Sequence, residues 1–367
     1  MKVICDKQSL SAAITNVSLA VSSKSSLPAL EGILLCAKEG RLYLTGYDLE
    51  MGIATSIEAN VQQEGDVILS AKLLADIVRR MPAEDILIFC NEKMMTQLKS
   101  GVAEYSILGQ PAAEFPELPA LTDTASLTLP QNTLASMIGQ THFAIAVSDT
   151  KPVHTGSLFE LDGETLTIVS VDGYRLAMRS EPLKTDGKLS FIVPGKTLSD
   201  LLRLLEDDDS PVGLQISKKH ISFGVGHYTV ISRLLEGEFL NYRAAIPPSS
   251  LTMVTVQTRE LIDSIDRTSL LIQDRLKSPL RVKFGQELIQ ISCSTAMGSA
   301  YDETNCTAQG PEVEMGFNNR FLLDALRAAG CDMVRLAISG PLSPMKVLPP
   351  QGEDFLFLVL PVRLKND

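Results

Sequence analysis

The sequence contains no tryptophan, and aromatic residues make up only 5% of its 367 positions. No apolar run approaches the roughly 18 residues of a membrane-spanning helix, so we expect no membrane partner. The first ten residues, MKVICDKQSL, lack the apolar core and cleavage site of a secretory signal peptide. With 45% hydrophobic and 21% charged residues, the chain is typical of a soluble globular protein, and we expect it in the cytoplasm.

Motifs for metal ligation are also missing. The six cysteines never form a CxxC pair, and the four histidines show no HxxxH or HExxH spacing. Buried thiols and ordinary histidines explain these residues better than a disulfide framework or a zinc site. The sequence therefore predicts neither a metal nor a cofactor.

The chain does contain a repeat of about 124 residues. Residues 70–88, 194–216 and 318–338 each read as an amphipathic helix, a short turn and a strand. Positions that align between these segments include Leu73, Leu198 and Leu322, and then Asp76, Asp200 and Asp324. The aspartates recur at intervals of 124 residues, whereas the leucines align at intervals of 125 and 124.

The rest of the unit repeats too. A helical segment opens each third of the chain at 6–21, 131–147 and 257–271, and hairpin-forming strands follow it. Tips such as Glu39-Gly40 predict tight hairpins, and hairpins give largely antiparallel sheets. The predicted fold class is α+β, with three tandem domains at residues 1–122, 126–248 and 251–367. Each domain should hold about two helices and six to eight short strands.

Catalytic signatures are absent. Pro194-Gly-Lys-Thr197 resembles the end of a phosphate-binding loop, but Ser190 stands where that loop needs its first glycine. The acidic run 206–209 could hold a cation, although a solvated turn explains it more simply. An enzyme with an active site in a cleft between repeats stays open as an alternative, with no residue nominated.

Positive charge is concentrated on the helices, although the net charge of the chain is −11. The six helical segments carry ten basic and six acidic residues, a total of +4, which leaves −15 for the remainder. Such sorting suits a non-specific grip on phosphates, and the helix propensity of lysine and arginine explains it about equally well. The candidate phosphate-binding cations are Lys7, Lys24, Lys72, Arg79, Arg80, Lys151, Lys196, Arg203, Arg275 and Lys277.

Four segments carry a resemblance to a known family: VSSKSSLPAL (21–30), SVDGYRLAM (170–178), FIVPGKTLSDL (191–201) and LVLPVRL (358–364). With the three repeats they make the chain similar to the bacterial DNA sliding clamps, the beta subunits of DNA polymerase III, from residue 1 to about 364. The resemblance implies two head-to-tail protomers that form a ring around duplex DNA and have no catalytic activity. Implied partners are double-stranded DNA, a second copy of the chain, the replicative polymerase catalytic subunit, the clamp loader and other proteins with a short clamp-binding motif.

The resemblance also implies a peptide-binding pocket between the second and third repeats. The matching positions are Asp172, Gly173, Tyr174, Arg175, Leu176, Leu240, Ala245, Ser343, Pro344, Met345, Leu358, Leu360, Pro361, Val362 and Arg363. We expect an apolar cup with two arginines at its rim, made adaptable by its methionine. The apolar run 355–359 predicts a buried last strand that Pro361 ends, which leaves residues 360–364 as one wall of the pocket. A histidine is common in the family where Tyr174 stands, which leaves the preferred peptide open.

A dimer interface is the last implied site. Tyr105 and Ile107, in the end strand of the first repeat at 102–108, would meet Leu270 and Leu271 of the third repeat's first helix. An exposed apolar edge strand needs a partner, and one of two adjacent helix leucines must point away from its own core. The alternative is that both leucines are ordinary core residues, and a monomeric interaction scaffold stays open as a function.

Overall fold

The computed structural model describes residues 1–148, 151–184, 187–272 and 278–364. Within these ranges all paired strands of the sheets are antiparallel, as the hairpin signals predict. None of the helices found there is long and apolar enough to span a bilayer. The chain divides into two compact units, Met1–Ala135 with Lys196–Leu234 and Ser136–Gly195 with Leu235–Asp367.

The first repeat contains two α-helices and nine strands among its described residues, one strand more than the upper limit predicted. Its elements are β1 (Lys2–Asp6), α1 (Lys7–Val17), β2 (Gly32–Lys38), β3 (Arg41–Tyr47), β4 (Met51–Glu58), β5 (Asn60–Gln63), β6 (Gly65–Ser70), α2 (Ala71–Arg80), β7 (Asp85–Cys90), β8 (Met95–Ser100) and β9 (Ala103–Leu108). The extra strand is the short β5, which pairs with β1 at a sheet edge.

The second and third repeats follow the same order. The second has β10 (Ala125–Pro130), α3 (Gln131–Thr141), β11 (Gly156–Leu161), β12 (Thr165–Val171), β13 (Arg175–Pro182), β14 (Leu189–Pro194), α4 (Gly195–Leu201), β15 (Pro211–Ile216), β16 (His220–Val225) and β17 (Tyr228–Arg233). The third has β18 (Thr252–Gln257), α5 (Thr258–Thr268), β19 (Leu280–Phe284), β20 (Leu288–Thr295), β21 (Gly298–Gln309), β22 (Val313–Phe317), α6 (Asn319–Ala329), β23 (Met333–Ile338), β24 (Met345–Leu348) and β25 (Phe355–Val359).

Helix ends follow ordinary capping chemistry. Asp6 caps α1 by accepting a hydrogen bond from the backbone N–H of Ser9 at 2.7 Å. Hydrogen bonds from the backbone and the side chain of Ser9 hold the pKa of Asp6 below its usual value. Asn318 caps α6 by accepting the N–H of Arg320. Gly330, at φ 64°, ends that helix in the left-handed conformation that glycine adopts without strain.

The leucine that repeats in the second helix of each domain is Leu74, and the alignment of Leu73 is wrong by one residue. Leu73 is 45% exposed, whereas Leu74, Leu198 and Leu322 are buried. With Leu74 in place, the leucine spacing becomes 124 residues in both intervals, the same as for the aspartates. The correction puts each repeated aspartate two residues after the repeated core leucine.

Strands join neighbouring repeats in one recurring way. In the first unit β17, the last strand of the second repeat, pairs with β4, the fourth strand of the first. In the second unit β25, the last strand of the third repeat, pairs with β13, the fourth strand of the second. A strand that ends one repeat therefore extends the sheet of the repeat before it.

All five residues of β25 are buried, which explains why both of its faces are apolar. Phe355, Phe357 and Val359 belong to one core cluster, which includes residues of α5 and α6. Leu356 and Leu358 belong to another, which also contains residues of β11 to β13. The predicted strand at 355–359 is confirmed, and its pairing with both β13 and β24 was not foreseen.

Candidate functional site

The loop from Asp172 to Arg175 is held in place by its own aspartate. Asp172 Oδ1 accepts the backbone N–H groups of Tyr174 and Arg175 at 2.9 and 3.0 Å, and Oδ2 accepts the Arg175 Nε at 2.8 Å. Gly173 has φ 87°, which residues with a Cβ rarely adopt. The loop thereby presents Tyr174, a residue 62% exposed, at the start of β13.

The Arg175 guanidinium lies among groups from two other elements, α6 and the short 3-10 helix His142–Ala144. Its Nη1 donates to Asp324 Oδ2 of α6 at 2.5 Å. Its central carbon lies 5.4 Å from the ring centre of Phe143 and 4.6 Å from that of Phe321, within cation–π range. Only 12% of the Arg175 side chain is exposed, so this residue lies beneath the surface and stabilises the loop. The expectation that Arg175 lies at the rim of the pocket is wrong.

Sequence reasoning missed Phe143, Phe321 and Asp324 as site residues. The ring of Tyr174 stacks on that of Phe321 with their centres 5.6 Å apart, so Phe321 sets the position of the exposed ring. The one available signal was the recurrence of Asp324 at the position of two other helix aspartates. Neither phenylalanine carries such a signal, because only tertiary folding brings them to Arg175.

Two backbone hydrogen bonds hold residues 360–364 in place. The N–H of Leu360 donates to the carbonyl of Tyr174 at 2.9 Å, and the N–H of Val362 donates to the carbonyl of Gly316 at 2.8 Å. β25 ends at Val359, so the strand stops before Pro361 as predicted, and Val362 then forms one isolated antiparallel bridge with Gly316. This segment therefore lies against β13 on one side and β22 on the other.

The predicted pocket residues differ in their access to solvent. Seven of them are exposed on the surface: Gly173, Tyr174, Leu240, Ala245, Leu360, Val362 and Arg363. Five others are half-buried: Asp172, Arg175, Ser343, Pro344 and Pro361. Leu176, Met345 and Leu358 lie in the core, so Met345 cannot supply the adaptable surface expected of it. Leu342, which directly precedes Ser343 in the chain, is also exposed and was not predicted as a pocket residue.

A shared core brings the separate segments of this site together. Leu176 and Leu358 lie in one cluster with Tyr242, against which Phe239 and Ile246 also pack. The segment that carries Leu240 and Ala245 is therefore built on the same core as β13 and β25. This core was not predicted, and the peptide-binding cup itself stays a prediction.

One pair of α2 arginines shares a carboxylate. Asp76 Oδ1 lies 2.5 Å from Arg79 and 3.2 Å from Arg80, and both arginines face solvent. Lys7 reaches the C-terminal end of the same helix, where its ammonium donates to the Met81 carbonyl at 2.6 Å. An open groove of about 530 Å³ between α1 and α2 is lined by Lys7, Gln8, Ser11, Ala12, Thr15, Asn16 and Arg79, without a carboxylate.

Two cations also share a carboxylate at α4, one within the helix and one just after its end. Asp200 lies 3.3 Å from the Lys196 ammonium and 3.9 Å from the Arg203 guanidinium. Lys196 also contacts Asp48 at 3.2 Å. Among the other candidate cations, Lys24, Lys72 and Lys151 are exposed, and Arg275 and Lys277 lie outside the described residues.

The residues expected at the dimer interface lie on the edge strand β9 and in a short helix that follows α5. Strand β9 pairs with β8 along one side, and no described strand pairs along its other side, where Tyr105 is exposed and Ile107 half-buried. Leu270 is 82% exposed in a short 3-10 helix that follows α5, whereas Leu271 is half-buried. That short helix packs against β20 and β21. The prediction that one of the two leucines points away from the core is confirmed.

Within the described ranges, no three His, Cys, Asp or Glu side chains are grouped so that they could hold a metal ion. Burial raises the pKa of the Cys5 thiol to about 12 and raises that of Cys293 and Cys306 as well, which disfavours the reactive thiolate. These cysteines therefore act as small apolar residues.

Three family models match the chain in succession. They describe the N-terminal domain of the DNA polymerase III beta subunit at residues 1–119, its central domain at 128–241 and its C-terminal domain at 243–363. A beta sliding clamp from Halalkalibacterium halodurans is 30% identical over 378 residues, covering 99% of this chain and 100% of that protein. The chain belongs to the DNA polymerase III beta subunit family. The predicted fold class, three tandem domains of helices and antiparallel sheets, is thereby confirmed.

Solved structures agree with this family. The DNA polymerase sliding clamp of Bacillus subtilis superposes with a TM-score of 0.96 at 28% identity, covering 100% of both chains. The clamp of Pseudomonas aeruginosa gives a TM-score of 0.92 at 28% identity, covering 99% of this chain and 100% of that one. The exact domain limits and the individual site residues of this chain stay predictions.

Proposed function

We propose that this protein is the processivity clamp of a replicative DNA polymerase. Two copies close head to tail into a ring that encircles duplex DNA without reading its sequence. The ring tethers the polymerase catalytic subunit and is opened by a clamp loader. It catalyses no reaction itself and acts in the cytoplasm, where the bacterial chromosome is replicated.

The observation that carries this proposal is the recurring strand junction. The last strand of the second repeat extends the first repeat at β4, and the last strand of the third extends the second at β13. The equivalent fourth strand of the third repeat is β21, which pairs with β20 over residues 298–305 and has no described strand along its other edge there. The equivalent last strand of the first repeat is β9, which is open in the same way.

One chain therefore contains this strand junction twice. It also contains both strands of a third junction, β21 and β9, and neither has a described partner along its free edge. Pairing β9 of one copy with β21 of another repeats the junction that the chain already makes twice. An interface of this kind joins different surfaces of the two copies, and it closes when the rotation per contact brings the copies back to the start. The short helix that carries Leu270 packs against β21, so the exposed side chain of Leu270 would be covered by the partner together with Tyr105 and Ile107.

Partner peptides are proposed to bind at the exposed side chains around Tyr174, Leu240, Leu360 and Val362. The loop that carries Tyr174 and the fastened segment 360–364 give this surface a fixed shape before any partner arrives. A preformed apolar surface with backbone groups at its edge suits a short linear motif. The domain limits 1–122, 126–248 and 251–367 are proposed for the three units of the ring.

The test is retention on DNA of different topology. The protein is loaded onto nicked circular DNA, one sample is linearised, and bound protein is measured over time. A ring stays on the circle and slides off the free ends, whereas a groove binder or a monomeric scaffold leaves both at equal rates. Light scattering on the same sample should give the mass of a dimer, and a monomer at micromolar concentration would contradict the proposal.

A further inference from the structure

The repeated helix aspartates have a consequence for how tightly DNA is held. Asp76, Asp200 and Asp324 occupy the same position in α2, α4 and α6. In α2 the carboxylate lies between Arg79 and Arg80, three and four residues further along the helix. Both cations are more accessible to solvent than the carboxylate. The side chain of Asp76 is 36% exposed, and those of the two arginines are about twice as exposed.

In the second repeat the aspartate also lies between two cations, but one of them precedes it. Lys196 lies four residues before Asp200 and Arg203 three residues after it, and both lie within 4 Å of the carboxylate. The side chain of Asp200 is only 12% exposed, whereas those of Lys196 and Arg203 are more than half exposed. The fourth charge of this group, Asp48, contacts Lys196 from the loop before β4.

The third repeat uses its aspartate differently. Asp324 binds Arg175 from the Tyr174 loop. The arginine three residues further along α6, Arg327, pairs with Asp266 of α5. The aspartate is thus repeated in all three helices without the same role in each. Asp76 and Asp200 pair with cations of their own helix or of the turn directly after it, whereas Asp324 pairs with an arginine of the second repeat.

We infer that Asp76 and Asp200 weaken the grip of their neighbouring cations on DNA phosphates, so that the ring binds loosely enough to move along the duplex. The inference rests on the proposed clamp function. The ion pairs of Asp76 are exposed and therefore weak, and the cations that pair with Asp200 face solvent, so a phosphate can compete with either carboxylate for them. The carboxylate nevertheless stays within a few ångströms and repels the phosphate, and a cation that is already neutralised contributes less to counterion release.

The test compares variants that each remove one negative charge. Asp76→Asn and Asp200→Asn are made singly and together, and Glu314→Gln serves as the matched control. Glu314 lies in β22 and pairs with Arg281 at 3.2 Å, so its removal changes the net charge and one exposed ion pair without touching a helix. Binding to a short fluorescent DNA duplex is measured by anisotropy from about 50 to about 200 mM salt.

The double variant should bind several-fold tighter than the wild type, with a slope of log K against log salt that is steeper by about 1 or more. It should also leave linearised DNA more slowly. Unchanged slopes in Asp76→Asn, whose surface position makes misfolding a poor explanation, would overturn the inference. An equal gain in Glu314→Gln would overturn it as well, because net charge would then be the cause.

Failure of the inference and failure of the clamp function give different results. If the wild type is retained on circular DNA and lost from linear DNA while the variants match it in every slope, only the inference is wrong. If the wild type shows no difference between circular and linear DNA, the clamp function is wrong and the inference falls with it. Light scattering on each variant confirms that the dimer is intact before binding is measured.

Discussion

The N–H of Val362 donates to the carbonyl of Gly316 across 2.8 Å, and this contact fastens the segment 360–364 to the edge strand β22. A Cβ at position 316 would lie 2.5 Å from the Val362 carbonyl oxygen and 2.7 Å from the Leu364 side chain. Glycine is therefore required for this approach, although the backbone of Gly316 is not in a left-handed conformation.

Gly316→Ala should displace residues 360–364 and weaken partner binding. We expect about a tenfold loss of affinity, or ~1.4 kcal/mol, for a peptide from the cognate polymerase catalytic subunit, measured by calorimetry. Gly213→Ala is the matched control, because a Cβ there meets no atom within 4 Å. Undiminished affinity in Gly316→Ala would remove the segment from the binding site.

Arg175→Lys should disorder the Tyr174 loop without changing the charge of the site. Lysine cannot satisfy Asp172 and Asp324 together while lying flat against two aromatic rings. We expect weaker peptide binding and increased hydrogen exchange at residues 172–175, read by mass spectrometry. Arg281→Lys, at an exposed pair with Glu314, should change neither. Normal protection of the loop in Arg175→Lys would show that Asp172 alone holds it.

Leu270→Asp should give monomers, because the charge would lie in the proposed contact between copies. Leu270 is a better target than Leu271, whose half-buried side chain also supports its own domain. Leu251→Asp places the same charge on another highly exposed leucine and should leave the dimer intact. Sedimentation velocity distinguishes the two variants, and a dimeric Leu270→Asp protein would show that the interface lies elsewhere.

Asp6→Ala should lower the free energy of unfolding by about 1 kcal/mol at neutral pH, the usual value of an N-cap. Since the folded-state pKa of Asp6 is lowered, its contribution is full above the unfolded pKa of about 3.9 and is lost as the pH falls through the folded value. Urea unfolding should therefore show a wild-type advantage at pH 7 that disappears in strong acid. The amide cap Asn318 does not titrate, and the cost of Asn318→Ala should persist there.

Much of the architecture can be predicted from the sequence because it repeats. Three helices with the same pattern identify the domains even where a single pattern misleads. Leu73 and Leu74 show the limit: both are apolar, and only burial distinguishes the one that faces the core. Helix periodicity cannot choose between adjacent leucines when the repeat spacing is uncertain by one residue.

The binding surface was harder to predict, since its members meet only through tertiary contacts. Tyr174 and Leu360 could be named from sequence segments, yet Phe321 and Asp324 lie about 150 residues from the loop that they support. Met345 was assigned to the surface by its motif and lies in the core by its packing. Sequence motifs mark which segments converge, and they do not tell which side of each strand faces solvent.

The pairing of β25 with β13 also has a consequence for synthesis on the ribosome. β25 emerges later than any other described strand, so one edge of the second repeat stays unpaired until the third repeat is almost complete. Unpaired edges of half-made chains invite aggregation, and chaperones commonly bind such intermediates. Chains truncated before residue 355 would lack β25. The third repeat would then be incomplete and the edge of the second repeat unpaired, so such chains should be degraded rapidly by proteases.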